Sequence, residues 1–196
     1  MNRPEVWLAR HGATEWSRDG RHTSTTDLPL LPEGEAEARR LAPALAGVEF
    51  DLVLTSPRRR SADTAALLGH PDAVADPDLV EWDYGQYEGL TTATIRETVP
   101  GWRVWTHKSP GGEAAEDVGA RADRVVARIL AGAPRRALVV SHGHFLRVLA
   151  ARWVEQPPAF GMSLLLGTGT LCVLGWERET RAIASWNSRV PAPPPP

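Results

Sequence analysis

Two histidines occupy matching positions, each after a short apolar run and before a glycine. Arg10-His11-Gly12 follows Val6-Trp7-Leu8-Ala9, and Ser141-His142-Gly143 follows Leu138-Val139-Val140. A third run, Leu52-Val53-Leu54, opens into Thr55-Ser56-Pro57-Arg58-Arg59-Arg60. Imidazole changes charge near neutral pH and can act as base or nucleophile, and the arginine fork matches the oxygens of a phosphoryl group. If the three runs are parallel strands, their carboxyl ends open into one crevice, where open α/β sheets bind ligands. Cations gathered there without counter-charge repel one another, so chemistry on a bound phosphoryl anion is the reading that makes sense of them. That reading requires His11 and His142 to meet in space.

Other chemistries fit less well. His142-Gly143-His144 has the start of a metal-binding pair, but Leu146 stands where an H-x-H-x-D site needs its aspartate. There is no G-x-x-x-x-G-K-[ST] phosphate loop, because Lys108 is the sole lysine, and no G-x-S-x-G elbow. His22, His70 and His107 lack a comparable setting, and His70, between Gly69 and Pro71, reads as a solvated turn. Arg58, Arg59 and Arg60 open a helix, where cations oppose the macrodipole, so a compensating anion is expected there.

The elements needed to hold these groups are visible in the pattern. Strand-like Val6 to Ala9 is followed by a helix from about Glu33 to Ala46, which Pro43 should bend or end. Leu52 to Leu54 precedes a helix from Arg59 to Leu68, closed by Gly69. A helix from about Glu116 to Ala131 carries Val118, Ala122, Val125 and Ile129 near one face; Ala137 to Val140 is a strand and Phe145 to Val154 a helix. Leu171 to Leu174 and Ile183 to Trp186 complete the strands. The result is an α/β fold, a three-layer α/β/α arrangement with a mostly parallel central sheet, in one domain over 1–190 with a proline-rich mobile tail at 191–196. Between Glu81 and Ser109, Trp82, Tyr84, Tyr87, Trp102 and Trp105 occur without periodicity. That excursion reads either as a pocket wall or lid, or as aromatics anchoring an irregular segment.

Composition bounds the rest. The 196 residues, 42% of them hydrophobic, can build one core without disulfides or structural metal, and a single cysteine, Cys172, suits a reducing compartment. A net charge of -2 gives no overall drive toward nucleic acid or anionic membrane, so neither is expected as a partner. With no apolar stretch long enough to span a bilayer, a cytoplasmic location is expected. The eight tryptophans leave a homodimer patch and a core role both open.

Leu8-Ala9-Arg10-His11-Gly12-Ala13-Thr14-Glu15-Trp16 resembles the R-H-G-[EAQ]-T opening of the histidine phosphatase superfamily, also called phosphoglycerate-mutase-like. Pro29-Leu30-Leu31-Pro32-Glu33-Gly34 is similar to its P-L-T-x-x-G segment, and Ser56-Pro57-Arg58-Arg59-Arg60-Ser61-Ala62-Asp63-Thr64-Ala65 to its S-P-L-x-R-A-x-x-T-A helix. Leu79 to Gly89 resembles L-x-E-x-x-x-G-x-x-E-G, and Val140-Ser141-His142-Gly143 the second histidine motif. Gly20-Arg21-His22-Thr23, Glu81 to Gly85 and His142-Gly143-His144 look most like small actinobacterial acid phosphatases and the sedoheptulose-bisphosphatase type. Ser17, Ser24, Arg58 and Ala114 depart from common members, at positions that touch substrate selection more than phosphate chemistry.

The resemblance implies an acid phosphatase that hydrolyses small phosphomonoesters, sugar phosphates or similar metabolites, without metal or other cofactor. His11 would be the nucleophile; Arg10, Arg60 and His142 would hold the phosphoryl oxygens; Glu81 would act as general acid and then general base. Ser17, His22, Thr23, Ser24, Trp82 and Tyr84 are expected to wall the substrate pocket, with Gly143 beside them. The alternatives are a 2,3-bisphosphoglycerate-dependent phosphoglycerate mutase and a non-enzymatic phospho-ligand binding module. Mutases generally carry a longer insertion between acid and second histidine than the 61 positions separating Glu81 from His142. Binding modules usually lose the nucleophile or the acid, and both are present here.

Overall fold

A computed structural model describes residues 3–189; the expected tail at 191–196 lies outside the described residues. The chain alternates β1 (Glu5–Arg10), α1 (Glu15–Asp19), α2 (Pro32–Leu45), β2 (Leu52–Thr55), α3 (Arg59–Leu67) and β3 (Val74–Ala75). It continues through α4 (Thr92–Thr98), α5 (Ala115–Gly132), β4 (Arg136–Ser141), α6 (Gly143–Trp153), β5 (Leu171–Glu177) and β6 (Thr180–Ser188). Among the described residues these strands form one six-stranded sheet, ordered β3-β2-β4-β1-β5-β6. β3, β2, β4 and β1 pair in parallel, whereas β5 runs antiparallel to both β1 and β6. The sheet is therefore mixed, with helices on both sides.

Strand alternation sends successive side chains to opposite layers. Val6 and Leu8 of β1 join Val118, Val125, Phe145 and Leu149 from α5 and α6 on one side of the sheet. Trp7 and Ala9 join Leu41 and Leu45 of α2, with Ala65 and Leu68 of the α3 segment, on the other. On α5 the four residues Val118, Ala122, Val125 and Ile129, spaced for one helical face, are all buried. Burying each Val or Ile there contributes about 1.5–3 kcal/mol, so α5 is held by packing more than by intrinsic propensity.

Pro43 does not stop α2, which runs on to Leu45. It lies in the last turn, where its ring forfeits one backbone bond while Leu41 and Leu45 on either side stay buried. Three short elements escape periodicity: α1, α4 and the edge strand β3, whose two residues are both exposed. The eight tryptophans are buried or half-buried among the described residues, five of them (Trp7, Trp82, Trp102, Trp105 and Trp153) in the core, and none forms an exposed patch.

Candidate active site

Strand register brings the chemical groups together. β1 and β4 pair Arg10 with Ser141, and β2 and β4 pair Thr55 with Val140, so His11, Ser56 and His142 emerge side by side at the carboxyl ends. The His11 N–H donates to Ser141 O at 3.0 Å and the Ser56 N–H to Val140 O at 3.0 Å, which extends the ladder by one residue into the site. The imidazoles of His11 and His142 lie with ring centroids 5.1 Å apart.

The hydrogen bonds define the state of each ring. His11 Nδ1 lies 2.8 Å from Gly12 O. A carbonyl only accepts, so Nδ1 carries the proton and Nε2 presents a lone pair. Burial, together with the Arg60 and Arg10 charges, drives the His11 pKa well below the usual histidine value, which keeps this ring neutral. Arg60 Nε donates to His142 Nδ1 at 3.2 Å, so the neutral His142 carries its proton on Nε2, 2.8 Å from Ser56 Oγ. Burial and the Arg60 charge also hold His142 well below the normal range.

Glu81 reaches the same crevice from the excursion after α3. Its Oε1 accepts the N–H groups of Trp82 at 2.9 Å and Phe145 at 2.8 Å, and Oε2 accepts that of His144 at 3.0 Å. The carboxyl thereby satisfies N–H groups in the first turn of α6.

Arg10 and Arg60 differ in how they are held. Gly143 lets the Arg10 guanidinium lie across the start of α6, since a Cβ there would come within 3.0 Å of Arg10 Cζ. Arg10 Nη1 donates to Leu166 O, while its Nε is buried with no hydrogen-bond partner among the described residues. Arg60 is buried and grips the 23–26 loop: Nη1 donates to Thr26 O at 3.1 Å, and Nη2 to Thr23 O at 3.2 Å and Ser24 O at 3.3 Å. That loop is folded in turn by Glu88, whose carboxylate accepts the Ser24 N–H at 2.9 Å and the Thr26 N–H at 3.0 Å. The anion expected at the start of α3 is also internal, because Asp27 Oδ1 accepts the Arg59 N–H at 2.9 Å.

These groups border a cavity of about 600 Å³. Arg10, His11, Glu81 and Gly143 line it, and so do Ser17, His22, Thr23 and Tyr84. Arg60 and His142 form the layer behind. Ser24 and Trp82 are also outside the lining: Ser24 Oγ donates to Glu81 O at 3.3 Å, and Trp82 Nε1 to Glu113 O at 3.0 Å, which turns both inward as supports. The excursion serves both of its expected uses, since Tyr84, Trp102 and Trp105 are buried in the core and line the cavity at once.

Sequence reasoning named His22 and Tyr84 in this wall but missed His144 and four arginines. His144 Nδ1 is hydrogen-bonded to Tyr84 OH at 2.6 Å, and the His22 ring packs 4.6 Å from Tyr84 and 5.3 Å from Trp102. Burial lowers the His22 pKa to about 4 and that of His144 well below normal. Arg21, Arg96, Arg103 and Arg147 also line the cavity. Arg147 was detectable in principle, because it follows His144 by three residues and a helix brings such a pair to one face. Arg96 and Arg103 lie in the aperiodic excursion, where spacing carries no signal. Among the described residues no three His, Cys, Asp or Glu side chains are grouped as metal ligands, and no helix is long and apolar enough to cross a membrane.

Comparison with known proteins gives concordant matches. The profile of the histidine phosphatase superfamily (branch 1) matches residues 6–189. An acid phosphatase of Mycobacterium tuberculosis is 44% identical over 180 residues, covering 90% of this chain and 89% of that protein. A sedoheptulose 1,7-bisphosphatase of Saccharomyces cerevisiae is 34% identical, covering 76% and 67%. A solved structure of an open reading frame product of Mycobacterium tuberculosis superposes with a TM-score of 0.89 at 42% identity, covering 93% of this chain and 96% of that one.

Proposed function

The chain belongs to the histidine phosphatase superfamily, and from that premise we propose that it hydrolyses small phosphomonoesters through a phosphohistidine on His11 Nε2. The observation that carries this reading is the His11 ring, neutral, with Nδ1 committed to Gly12 O and Nε2 left as a lone pair in a cavity shared with Arg10 and Glu81.

In the first step Nε2 attacks phosphorus in line, the ester P–O bond breaks, and Glu81 gives its proton to the departing oxygen. Arg10, which lines the cavity beside His11, neutralises charge on the transferring oxygens. Arg60 supports them from behind; four of its N–H contacts are made within the protein, leaving one of its five hydrogens, on Nη1, uncommitted. His142, with both ring nitrogens engaged, orients Arg60 and keeps charge off its own ring. In the second step Glu81 takes a proton from water, the oxygen attacks phosphorus, the P–N bond breaks, and Nε2 recovers its lone pair. Because the His11 ring is neutral, Nε2 attacks without first having to lose a proton.

The substrate reading is a sugar phosphate or a similar small metabolite, met by the hydroxyl, imidazole and indole groups of the wall. Hydrolysis is favoured over mutase action by the short Glu81 to His142 interval and by the phosphatases among the matches. The test is rapid quench of the enzyme with a turned-over phosphomonoester, followed by mass spectrometry. Acid-labile phosphate on His11, and loss of turnover by at least about 10³-fold in His11→Ala, are expected; phosphate on any other residue overturns the assignment.

A further inference from the structure

Every backbone polar group of the turn from His11 to Ala13 has a partner. The His11 N–H donates to Ser141 O at 3.0 Å, and its carbonyl accepts the Gly169 N–H at 3.1 Å. The Gly12 N–H donates to Thr64 Oγ1 at 3.2 Å, and Gly12 O lies 2.8 Å from His11 Nδ1. Ala13 O accepts the Leu31 N–H at 2.9 Å. The remaining group, the Ala13 N–H, donates to Glu37 Oε2 at 2.9 Å. Alone among these groups, it meets a charged partner.

Glu37 is half-buried and, among the described residues, has no cationic side chain within 4 Å. Its other oxygen, Oε1, accepts the Thr168 hydroxyl at 3.2 Å. Gly34 is what lets α2 touch the His11 turn, since a Cβ there would meet the Ala13 backbone. Three residues on, Glu37 falls on the same helix face. Gly169 then passes over the Glu37 side chain, where a Cβ would stand 2.4 Å from Glu37 Cβ. Rather than pairing with an arginine, the carboxylate is committed to two neutral donors beside the proposed nucleophile.

The Ala13 N–H and the Gly12 carbonyl are the two ends of one peptide unit, which is planar and turns only as a whole. Fixing the N–H on Glu37 therefore fixes the direction of Gly12 O, the atom that decides which His11 nitrogen holds the proton. A charged acceptor also polarises the amide, so that its carbonyl accepts more strongly from Nδ1–H. Burial, Arg60 and Arg10 depress the basicity of His11, and the Gly12 carbonyl works in the opposite direction.

We propose that Glu37 is a positioning residue for His11, acting through the Gly12-Ala13 peptide to hold the ring in its Nδ1–H form with the Nε2 lone pair turned to the cavity. The nucleophilic role of His11 rests on the phosphatase reading above; the tautomer in which the ring is held does not.

Two measurements separate this role from a merely structural one. Histidine 15N NMR, with His11 assigned by the signals lost in His11→Ala, should show Nδ1 protonated in the wild type and in Glu37→Gln, and a mixture of both tautomers in Glu37→Ala. With p-nitrophenyl phosphate, Glu37→Ala should lower kcat about 10²-fold, as expected for about 1 Å of misplacement. KM should stay within about twofold, because Glu37 is outside the cavity lining. Glu37→Gln, whose amide oxygen still accepts the Ala13 N–H, should recover at least about tenfold of that loss. Its His11 Nδ1–H resonance should move upfield, as the bond to a less polarised carbonyl weakens. A wild-type tautomer in Glu37→Ala, kcat there within about threefold of wild type, or Glu37→Gln no more active than Glu37→Ala overturns the proposal. Should Glu37→Ala fail to fold, as urea titration will show, Glu37→Gln decides alone, and an unmoved Nδ1–H resonance overturns the proposal. A wild-type protein inert toward p-nitrophenyl phosphate and other small phosphomonoesters overturns the phosphatase reading instead, and the NMR spectra still decide the role of Glu37.

Discussion

Gly34 and Gly12 meet back to back, and a methyl group on either one should disturb His11, the proposed nucleophile. A Cβ on Gly34 would stand 2.2 Å from Ala13 O, more than an ångström short of ordinary contact at 3.4 Å, and 2.6 Å from Ala13 N. A Cβ on Gly12 would stand 2.1 Å from Gly34 O. Both obstacles are backbone, so no side chain can swing aside, and α2 must retreat from the His11 loop. Retreat stretches two bonds that join them, Leu31 N–H to Ala13 O and Ala13 N–H to Glu37 Oε2, each 2.9 Å. Overpacking at about 1–3 kcal/mol, with about 1 kcal/mol or more for each weakened bond, makes Gly34→Ala cost about 3–5 kcal/mol. That is a large part of the roughly 5–15 kcal/mol that holds a domain together. Gly12 O also fixes the His11 tautomer, and a displacement of about 1 Å at such a group can lower kcat by about 10²-fold. Urea unfolding followed by tryptophan fluorescence, with kcat on p-nitrophenyl phosphate, reads both effects. Once either methyl has parted the two backbones, the second meets less resistance, so Gly12→Ala/Gly34→Ala should cost well under the sum of the single changes. A Gly34→Ala protein within about 0.5 kcal/mol of wild type at full activity, or strict additivity in the double variant, refutes the reasoning.

Other expectations can be checked with the same assays. His22 has its pKa lowered to about 4 in the fold, so stability is complete above the unfolded value near 6.5 and falls as pH drops from there toward 4, by about 3 kcal/mol from this ring. His22→Phe, which keeps a ring between Tyr84 and Trp102, should lose that much less over the interval, and parallel wild-type and variant curves would show the ring to be irrelevant. Because His11 is held neutral to well below pH 6.5, kcat/KM should show no acid limb centred near 6.5; such a limb appearing in wild type and shifting with changes at Arg60 would contradict the neutral nucleophile. Glu88 folds the 23–26 loop that Arg60 grips, and is expected to position Arg60 through it. Glu88→Gln should lower kcat/KM about tenfold and weaken inhibition by inorganic phosphate in step; phosphate inhibition unchanged beside impaired turnover would place its effect elsewhere. Activity should survive EDTA, since arginines stand where a metal-dependent phosphatase has its cation, and loss restored by added metal would refute that substitution of roles.

The architecture was legible where burial imposes a period. Val118, Ala122, Val125 and Ile129 face the core at helical spacing, and Val6 to Ala9 alternate between the two layers as a buried strand must. α1 is set instead by a local cap, in which Thr14 Oγ1 accepts the Ser17 N–H at 3.3 Å and Ser17 Oγ the Thr14 N–H at 2.8 Å. Five residues are too few for a periodic pattern. β3 is two residues long and exposed, so no hydrophobic signal marks it; it exists because its backbone pairs with Leu54 and Thr55. Pro43 was expected to bend or end the helix nearby, and α2 ends two residues beyond it, at Leu45, with Leu41 and Leu45 buried.

The site was legible only as far as its strand ends. A residue type after an apolar run points to the crevice, which is how Arg10, His11 and His142 can be found without coordinates. The groups that hold those residues in position follow a different logic. Arg60 needs carbonyl oxygens from a loop more than thirty residues away, that loop needs Glu88, and the start of α3 needs Asp27. Each link is a hydrogen bond between distant segments, and no spacing rule predicts such bonds. The same distinction applies to the start of α3. Reasoning from the helix dipole correctly required a negative charge opposite Arg58, Arg59 and Arg60, but it could not say whether that charge was a ligand or part of the chain. Asp27 answers for the helix end. The arginines of the cavity have no such internal answer among the described residues, and that contrast makes them the better pointer to what this protein binds.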